Sequence, residues 1–313
     1  MSLLLLGRWS AAERDGCLAL LQAAMPDEQW LLAPPSNPAE AAEVEVAIVA
    51  NPEPGSLGGL PNLRLIQSLW AGVERLMQDL TLPPDVPLAR MVDPAMNEAM
   101  VHTALWAVLS LQRGFFDVLA QQARREWRQP AQPRAAEWRV LVLGAGELGG
   151  RVATGLALQG YKVSAWSRRP ARLDGVQSLQ GEAGLSLGLA QADVMINLLP
   201  LTEQTRSFFD AARFAAMKPG ASLVNLARGA HVVEADLLAA LDRGHLRRAV
   251  LDVFAQEPLP SEHPFWQHAK VTVLPHCAAQ TDPRSAVAVV KRNILALRAG
   301  ATLQHLVQRQ QGY

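Results

Sequence analysis

Three apolar runs of the sequence are each followed by a side chain that can take part in acid–base chemistry or hold an anion. Arg228 follows "LVNLA", Glu257 follows "LDVFAQ" and His276 follows "VTVLP". Arginine holds a carboxylate through two parallel hydrogen bonds, and histidine carries protons near neutral pH. A glutamate at hydrogen-bond distance would fix the tautomer of the histidine and stabilise its charged form. Each residue alone has an ordinary alternative, namely a surface ion pair, a turn residue or a hydrogen-bonded structural histidine.

A glycine turn lies upstream of these residues, between an apolar strand and a helix. In "VLVLGAGELGG", Gly144, Gly146 and Gly149 have the spacing G-x-G-x-x-G. The first would permit a tight turn, the second would let the backbone approach a pyrophosphate, and the third would let helix and strand pack closely. Because a strand precedes the turn and a helix follows it, the spacing predicts dinucleotide binding rather than a structural turn.

The residues after the next strand bear on which dinucleotide is bound. An NAD site normally places an acid about 20 residues beyond the turn, where it accepts hydrogen bonds from the ribose hydroxyls. Here the strand "KVSAW" is followed by Ser167, Arg168 and Arg169. A 2′-phosphate would gain a hydroxyl donor and two guanidinium groups there, which favours NADP, with NADPH preferred over NADH. The alternative is that both arginines are solvated loop charges.

Two series of strands and helices would position these residues. The first ninety residues or so alternate apolar and helical runs, which is typical of a small α/β unit with a mostly parallel sheet. Asp93-Pro94 then predicts a helix start, and helical spacing continues to about Trp127, as one helix or as two separated near Gly114. A second α/β series with the pattern of a doubly wound sheet begins near Val140. Asp282-Pro283 opens a last helix, to about Leu297, which could return to the first domain.

The composition excludes several classes of protein. Half of the 313 residues are hydrophobic, which suffices for two domains, and 29 basic residues balance 29 acidic ones. No overall charge therefore favours nucleic acid or an anionic membrane, and the opening leucine run is too short for a signal peptide or a membrane span. Cys17 and Cys277 are far apart and match no disulfide or zinc pattern, so a reducing cytoplasm is expected and Cys277 is interpreted as a small packing residue.

Several segments of the second half of the chain resemble those of the D-isomer-specific 2-hydroxyacid dehydrogenases. The resemblance runs from about Val140 to Ala279 and rests on "GAGELGG", "NLLPLTEQT", "NLARGAHVVEADLLAALDRG", "LDVFAQEPLP" and "VTVLPHCAA", in that order. It is closest to the NADPH-dependent glyoxylate/hydroxypyruvate reductase A branch, through "GLALQGYKVSAWSRRP", "PFWQH" and the terminal "GY". The resemblance implies two doubly wound parallel-sheet domains. Residues 1–95, completed by 284–313, would form a flavodoxin-like substrate-binding domain, and residues 96–283 a Rossmann dinucleotide-binding domain, with a ligand cleft between them.

The resemblance also implies a role for each candidate residue. Arg228 would anchor the substrate carboxylate and polarise the carbonyl, His276 would donate the proton, and Glu257 would be its partner. Trp70, Ala71 and Gly72 would belong to a loop that binds the carboxylate, with Arg228 and His276 also contacting the substrate. Trp70 departs from the glycine that relatives often carry there, and could narrow the pocket or pack at the domain hinge. The residues implied to contact the dinucleotide are Gly144, Gly146, Glu147, Leu148, Gly149, Ser167, Arg168, Arg169, Leu199, Pro200, Thr202, Ala227, Asp252 and His276.

The activity implied is NADPH-dependent reduction of glyoxylate to glycolate and of hydroxypyruvate to D-glycerate. The same resemblance implies a homodimer whose interface includes the long helix after Asp93. Two alternatives stay open: an NAD-linked dehydrogenase of D-lactate or 3-phosphoglycerate, and a protein of this fold that senses dinucleotide without catalysis. The remaining histidines show no metal-ligand pattern and are interpreted as packing or surface residues: His102, His231, His245, His263, His268 and His305.

Overall fold

The computed structural model of the chain describes residues 1–311. It contains two compact units, one made of Met1–Met96 together with the chain from Thr281 onward, the other of Asn97–Gln280. Each unit is built on one sheet, and neighbouring strands run parallel in both sheets. The two-sheet α/β architecture predicted from the sequence is therefore confirmed. The terminal "GY" pair lies outside the described residues.

The first unit has a five-stranded sheet with the order β2-β1-β3-β4-β5, which is the flavodoxin-like order. Its strands are β1 (Ser2–Gly7), β2 (Gln29–Leu31), β3 (Val44–Ala50), β4 (Leu65–Ser68) and β5 (Leu88–Ala89). Its helices are α1 (Ala11–Ala24), α2 (Pro38–Glu43), α3 (Glu74–Met77) and α10 (Pro283–Arg298). The C-terminal helix α10 packs with α1 on one face of this sheet.

Strands β1 and β3 are almost wholly apolar because the sheet is covered on both faces. Glu45 is the buried exception on β3. Its carboxylate accepts hydrogen bonds from Arg64 Nη1 at 2.9 Å and from Arg298 Nε at 2.9 Å. Because Arg298 is the last residue of α10, this ion pair ties the C-terminal helix to the first sheet.

The second unit has a seven-stranded sheet with the order β12-β11-β10-β9-β6-β7-β8, the dinucleotide-binding order with a seventh strand added at one edge. Its strands are β6 (Arg139–Leu143), β7 (Lys162–Trp166), β8 (Val176–Leu179), β9 (Val194–Asn197), β10 (Ser222–Asn225), β11 (Arg248–Leu251) and β12 (Val271–Val273). Its helices are α4 (Pro94–Arg113), α5 (Phe115–Arg124), α6 (Glu147–Leu158), α7 (Gly181–Gln191), α8 (Ala211–Ala216) and α9 (Glu234–Asp242).

The helical stretch after Asp93 forms two helices separated at Gly114, one of the two arrangements that the sequence predicts, because Gly114 takes a left-handed φ of 69° that ends α4. Two details differ from the prediction. Helix α5 stops at Arg124, short of Trp127. The short strands β2 and β8 lack an apolar run, since each lies at the edge of its sheet and is partly exposed. Within residues 1–311, none of the helices combines the length and the apolar character that crossing a membrane requires.

Candidate active site

The carboxyl edge of the second sheet gathers most of the predicted site residues. Parallel strands end at the same edge, so the residues that follow neighbouring strands lie side by side. From one end of the sheet to the other, this row consists of His276 after β12, Asp252 after β11, Ala227 and Arg228 after β10, Leu199 and Pro200 after β9, the glycine turn after β6, and Ser167 to Arg169 after β7. The candidate acid–base groups and the candidate dinucleotide groups therefore occupy neighbouring stretches of one edge.

His276 and Glu257 form the hydrogen-bonded pair that the sequence indicated. Nδ1 of His276 lies 2.7 Å from Oε2 of Glu257, whose Oε1 accepts the backbone N–H of Phe254 at 2.9 Å. The carboxylate is thus oriented by its own loop before it meets the imidazole. Because Glu257 accepts the Nδ1 proton, Nε2 points away from the pair and has no hydrogen-bond partner among residues 1–311.

The pair perturbs the acidity of both groups. The hydrogen bond to Glu257 raises the pKa of His276, and the charges of Glu257 and Asp252 add to this against the effects of burial and of Arg228. Burial alone would raise the pKa of Glu257, but the hydrogen bonds from His276 and Phe254 and the charges of His276 and Arg228 outweigh it, so that the pKa is lowered. The imidazole is thereby held in its charged form over a wider pH range than a free histidine.

Asp252 supports the loop that carries His276. Its buried carboxylate accepts the backbone N–H groups of Cys277 at 2.7 Å and of Ala278 at 3.0 Å. Burial raises the pKa of Asp252, although these two hydrogen bonds and the charge of His276 oppose the shift. The backbone N–H of His276 also donates to the carbonyl of Asp252 at 3.0 Å, and His276 itself has a φ of 51°. This left-handed conformation is held by hydrogen bonds on both sides of the imidazole-bearing residue.

Cys277 differs from its sequence interpretation. It is exposed rather than a packing residue, while its backbone N–H is bonded to Asp252. Burial of the thiol group itself and the charge of Asp252 raise its pKa. A thiol with a raised pKa forms less thiolate, so Cys277 is a poor nucleophile.

Arg228 is positioned by a close backbone contact that the sequence reading missed. A Cβ atom on Gly229 would lie 1.8 Å from the carbonyl carbon of Phe254, so only glycine lets these two segments touch. This contact brings the Arg228 segment against the loop that leads to Glu257. The charge of Arg228 accordingly influences the pKa of both Glu257 and His276. The three candidate groups therefore share one electrostatic environment.

The glycine turn has the geometry of a phosphate cradle. Gly144 has a φ of 98°, and a Cβ there would lie 2.6 Å from the carbonyl oxygen of Leu198, whereas a Cβ on Gly149 would lie 1.7 Å from the carbonyl oxygen of Gly144. Gly146 is the N-cap of α6, has no side-chain cap, and among the described residues leaves open space where its Cβ would be. The N-terminal N–H groups of α6 thus face a site where an anion fits.

Glu147 and Leu148 form the first turn of α6 behind this cradle. The carboxylate of Glu147 accepts hydrogen bonds from Arg151 Nε at 2.7 Å and from Asn97 Nδ2 at 3.2 Å. Its side chain is therefore engaged with the protein, and its backbone N–H remains the group suited to an anion.

Ser167, Arg168 and Arg169 directly adjoin the glycine turn. The backbone N–H of Gly144 donates to the carbonyl of Trp166 at 2.8 Å, so the end of β7 is bonded to the turn itself. Ser167 Oγ donates to the carbonyl of Arg169 at 2.5 Å, which closes a tight loop with both arginine side chains exposed. Two cations thus lie beside the cradle, at the end of the row opposite His276.

The segment after β9 lies between the two ends of the row. Thr205 Oγ1 donates to the carbonyl of Pro200 at 2.7 Å and accepts the backbone N–H of Thr202 at 2.8 Å. These bonds hold Leu199, Pro200 and Thr202 in a compact turn beside Gly144.

The predicted carboxylate loop belongs to the first unit. Ser68 Oγ accepts the N–H of Trp70 at 3.0 Å, and the N–H of Met91 donates to the carbonyl of Trp70 at 3.0 Å. The backbone N–H groups of Ala71 and Gly72 make no hydrogen bond within the part of the chain that the structure describes, so they are available to an anion. The Trp70 side chain is 39% exposed and is therefore not a core residue of this unit.

Comparison with known proteins identifies relatives along nearly the whole chain. Residues 105–278 match the model of the D-isomer specific 2-hydroxyacid dehydrogenase, NAD binding domain. A glyoxylate/hydroxypyruvate reductase A from Serratia proteamaculans (strain 568) is 42% identical over 283 residues, covering 88% of this chain and 90% of the relative.

Two solved structures share the fold over the full length. A D-isomer specific 2-hydroxyacid dehydrogenase from Xanthobacter autotrophicus Py2, in complex with NADPH and MES, superposes with a TM-score of 0.93 at 37% identity and covers 100% of this chain and 99% of its own. An NADPH-dependent glyoxylate/hydroxypyruvate reductase from Sinorhizobium meliloti, in complex with NADP and sulfate, has a TM-score of 0.91 at 34% identity and covers 100% of both chains.

Proposed function

Because the chain belongs to the D-isomer specific 2-hydroxyacid dehydrogenase family of oxidoreductases, we propose that it reduces small 2-oxo acids with NADPH, glyoxylate to glycolate and hydroxypyruvate to D-glycerate. The observation that carries this proposal is the hydrogen-bonded pair of His276 and Glu257, which shares one sheet edge with Arg228 and the phosphate cradle. A catalytically silent sensor would have no need of a histidine whose acid form is stabilised in this way.

Arg228, His276 and Glu257 have different roles in the proposed reaction. When bound, the nicotinamide supplies the hydride to the carbonyl carbon. The guanidinium of Arg228 binds the substrate carboxylate and polarises the carbonyl. Nε2 of His276 gives its proton to the carbonyl oxygen, while Glu257 stabilises the charged imidazole through Nδ1. Asp252 holds the His276 loop and would lie near the carboxamide of a bound dinucleotide.

The preference for NADPH is proposed from Ser167, Arg168 and Arg169, which follow β7 where an NAD enzyme normally has an acid. The Xanthobacter and Sinorhizobium relatives, crystallised with NADPH and NADP, support the same assignment. The NAD-linked alternative would require a carboxylate acceptor for the ribose hydroxyls, and residues 167–169 contain none.

Replacing Arg168 by alanine is expected to raise the KM for NADPH about tenfold to a hundredfold and to leave the KM for NADH unchanged. The reason is the loss of one charge-assisted hydrogen bond to the 2′-phosphate, worth about 1.5–3 kcal/mol. Initial rates with both cofactors measure this. Arg172→Ala removes another exposed arginine from the same loop and serves as the control. Equal effects of Arg168→Ala on NADPH and NADH would show that no phosphate is bound there.

We assign the substrate-binding role to the first unit on the strength of its loop at Ala71 and Gly72, whose N–H groups have no hydrogen-bond partner within residues 1–311 and suit a carboxylate. Trp70 is 39% exposed beside this loop, and we propose that its indole restricts the substrate to acids of two or three carbons. The test is a panel of 2-oxo acids with NADPH and with NADH, followed by the loss of reduced-cofactor absorbance. Glyoxylate and hydroxypyruvate with NADPH should give the highest kcat/KM. A preference for NADH with pyruvate would favour the lactate-type enzyme, and no turnover of any oxo acid would favour the sensor.

A homodimer is proposed from the exposed apolar face of α4 and α5. Trp106, Leu109, Phe115 and Leu119 are 41%, 39%, 43% and 63% exposed, an unusual cluster for a surface left in water. The matching helix of a second copy would cover it. Light scattering in solution should give twice the mass of the 33.9 kDa chain, and a single-chain mass at micromolar concentration would reject the dimer.

A further inference from the structure

Three buried polar side chains lie directly beneath the candidate active site and have no role in the chemistry described above. Asn197, Asn225 and His231 are each 0% exposed. Asn197 and Asn225 are the last residues of β9 and β10 and face each other in the parallel register. His231 follows Arg228 by one short turn. Buried polar side chains in native proteins have hydrogen-bond partners, so the partners of these three side chains show what they hold in place.

The contacts of the three side chains define one consistent set of donors and acceptors. Asn197 Oδ1 accepts the N–H of Leu199 at 3.2 Å, so its Nδ2 is the donor to Asn225 Oδ1 at 2.9 Å and to His231 Nδ1 at 3.0 Å. His231 Nε2 lies 3.3 Å from the carbonyl oxygen of Pro200, which can only accept. A neutral imidazole with its proton on Nε2 satisfies the contacts with Asn197 and Pro200, and it leaves the carbonyl of Arg228 to Asn225.

The network ends on two backbone oxygens that matter to the site. Asn225 Nδ2 donates to the carbonyl of Arg228 at 3.0 Å. His231 Nδ1 lies 3.1 Å from the same oxygen, to which it does not donate in the Nε2–H tautomer. At its other end, His231 meets the carbonyl of Pro200, in the turn beside the glycine cradle. The network thus spans from the residue that binds the carboxylate to the segment that lines the dinucleotide site.

We propose that His231, with Asn197 and Asn225, is a positioning residue that fixes the backbone of Arg228 relative to the turn at Pro200. This inference rests on the proposed function, because it concerns how accurately a 2-oxo acid is held against the nicotinamide. A displacement of about 1 Å in such an anchor is enough to reduce a rate about a hundredfold. His231 is fully buried, and we place its effect in the backbone of Arg228 and Pro200.

Three substitutions of His231 distinguish the contributions of its two nitrogen atoms. His231→Leu removes both contacts, His231→Asn keeps an acceptor at the position of Nδ1, and His231→Gln keeps a donor at the position of Nε2. Since the path to Arg228 runs through Nδ1 and Asn197, we expect His231→Leu to lower kcat/KM for glyoxylate about tenfold to a hundredfold. His231→Asn should recover most of this loss, and His231→Gln should not.

The matched control is His245→Leu. His245 is a partly buried histidine of the same unit whose Nε2 lies 3.1 Å from the carbonyl of Met217, at the opposite edge of the sheet. Both leucine variants should lower the thermal midpoint, but only His231→Leu should lower kcat/KM. NADPH binding, measured by fluorescence titration, should be retained in all variants because the cradle and the arginines are untouched.

The outcomes separate the two proposals. If the wild-type protein reduces no 2-oxo acid, the proposed function is wrong and the positioning role is rejected with it. If the wild type is active and His231→Leu equals it in kcat/KM, only the positioning role is wrong. Rescue by His231→Gln rather than His231→Asn would overturn the path through Asn197. In imidazole ¹⁵N spectra, the signal of His231 is identified as the one that is lost in His231→Asn. It should show the Nε2–H tautomer, and a Nδ1–H signal would contradict the network.

Discussion

Replacing His276 by asparagine is expected to lower kcat for 2-oxo acid reduction about 10²–10⁴-fold, the usual contribution of a positioned general acid. The amide of asparagine can keep a hydrogen bond to Glu257 where Nδ1 now lies, but its N–H group is far too weak an acid to transfer a proton to the carbonyl oxygen. Asparagine also tolerates the φ of 51° at this position better than most residues do. The variant therefore removes the acid with little change to the loop.

The measurement is steady-state kinetics with NADPH and glyoxylate, together with NADPH binding and the thermal midpoint. Because Arg228 and the cradle are unchanged, KM and NADPH affinity should stay close to those of the wild type. A loss confined to KM would contradict the role of His276 and would assign it to substrate binding instead.

The pH dependence tests the same proton from another side. Reduction needs the charged imidazole, and the hydrogen bond that His276 donates to Glu257 raises the pKa of His276. The kcat/KM for reduction is therefore expected to be constant at low pH and to fall as pH rises through this raised pKa, whereas oxidation of the hydroxy acid should increase over the same range. Glu257→Gln removes the anion, so the fall in reduction and the rise in oxidation should both occur at lower pH. If the pH of these two changes is the same in the variant as in the wild type, another group is responsible for them.

Much of this site was predictable because its parts are carried by strong local patterns. Apolar runs mark the parallel strands, and parallel strands bring the residues that follow them to one edge, so Arg228, Asp252 and His276 could be placed side by side from sequence. The glycine spacing fixed the start of the dinucleotide fold for a similar reason. Gly144 and Gly149 have no room for a Cβ against the neighbouring backbone.

The features that sequence reasoning missed depend on contacts between segments rather than on spacing along one. Gly229 looks like any glycine until Phe254 is seen against it, and His231 joins Asn197 only through the register of β9 and β10. The two hydrogen bonds that Asp252 accepts from the backbone of Cys277 and Ala278 likewise join segments that are far apart in the sequence. The only local signal for the contact between Gly229 and Phe254 is that a glycine directly follows Arg228 after a strand.

Replacing Arg228 by alanine is expected to lower kcat/KM for glyoxylate about 10²–10⁴-fold, mainly through KM. Two charge-assisted hydrogen bonds to the carboxylate, at about 1.5–3 kcal/mol each, account for a loss of this size. Arg228→Lys should recover about a factor of ten, because an ammonium group keeps the charge but not the planar pair of donors. Initial rates over a range of glyoxylate concentrations, with NADPH saturating, measure both variants.

A comparison of substrates divides this loss between the two roles of Arg228. The methyl ester of glyoxylate keeps the reacting carbonyl but lacks the carboxylate charge, so the wild type should reduce it far more slowly than the acid. In Arg228→Ala the two substrates should differ much less. Whatever the alanine variant loses on the ester measures polarisation of the carbonyl, and the remainder measures binding of the carboxylate. If Arg228→Ala discriminates between acid and ester as strongly as the wild type, the carboxylate is held elsewhere, and the free N–H groups of Ala71 and Gly72 are the groups to change next.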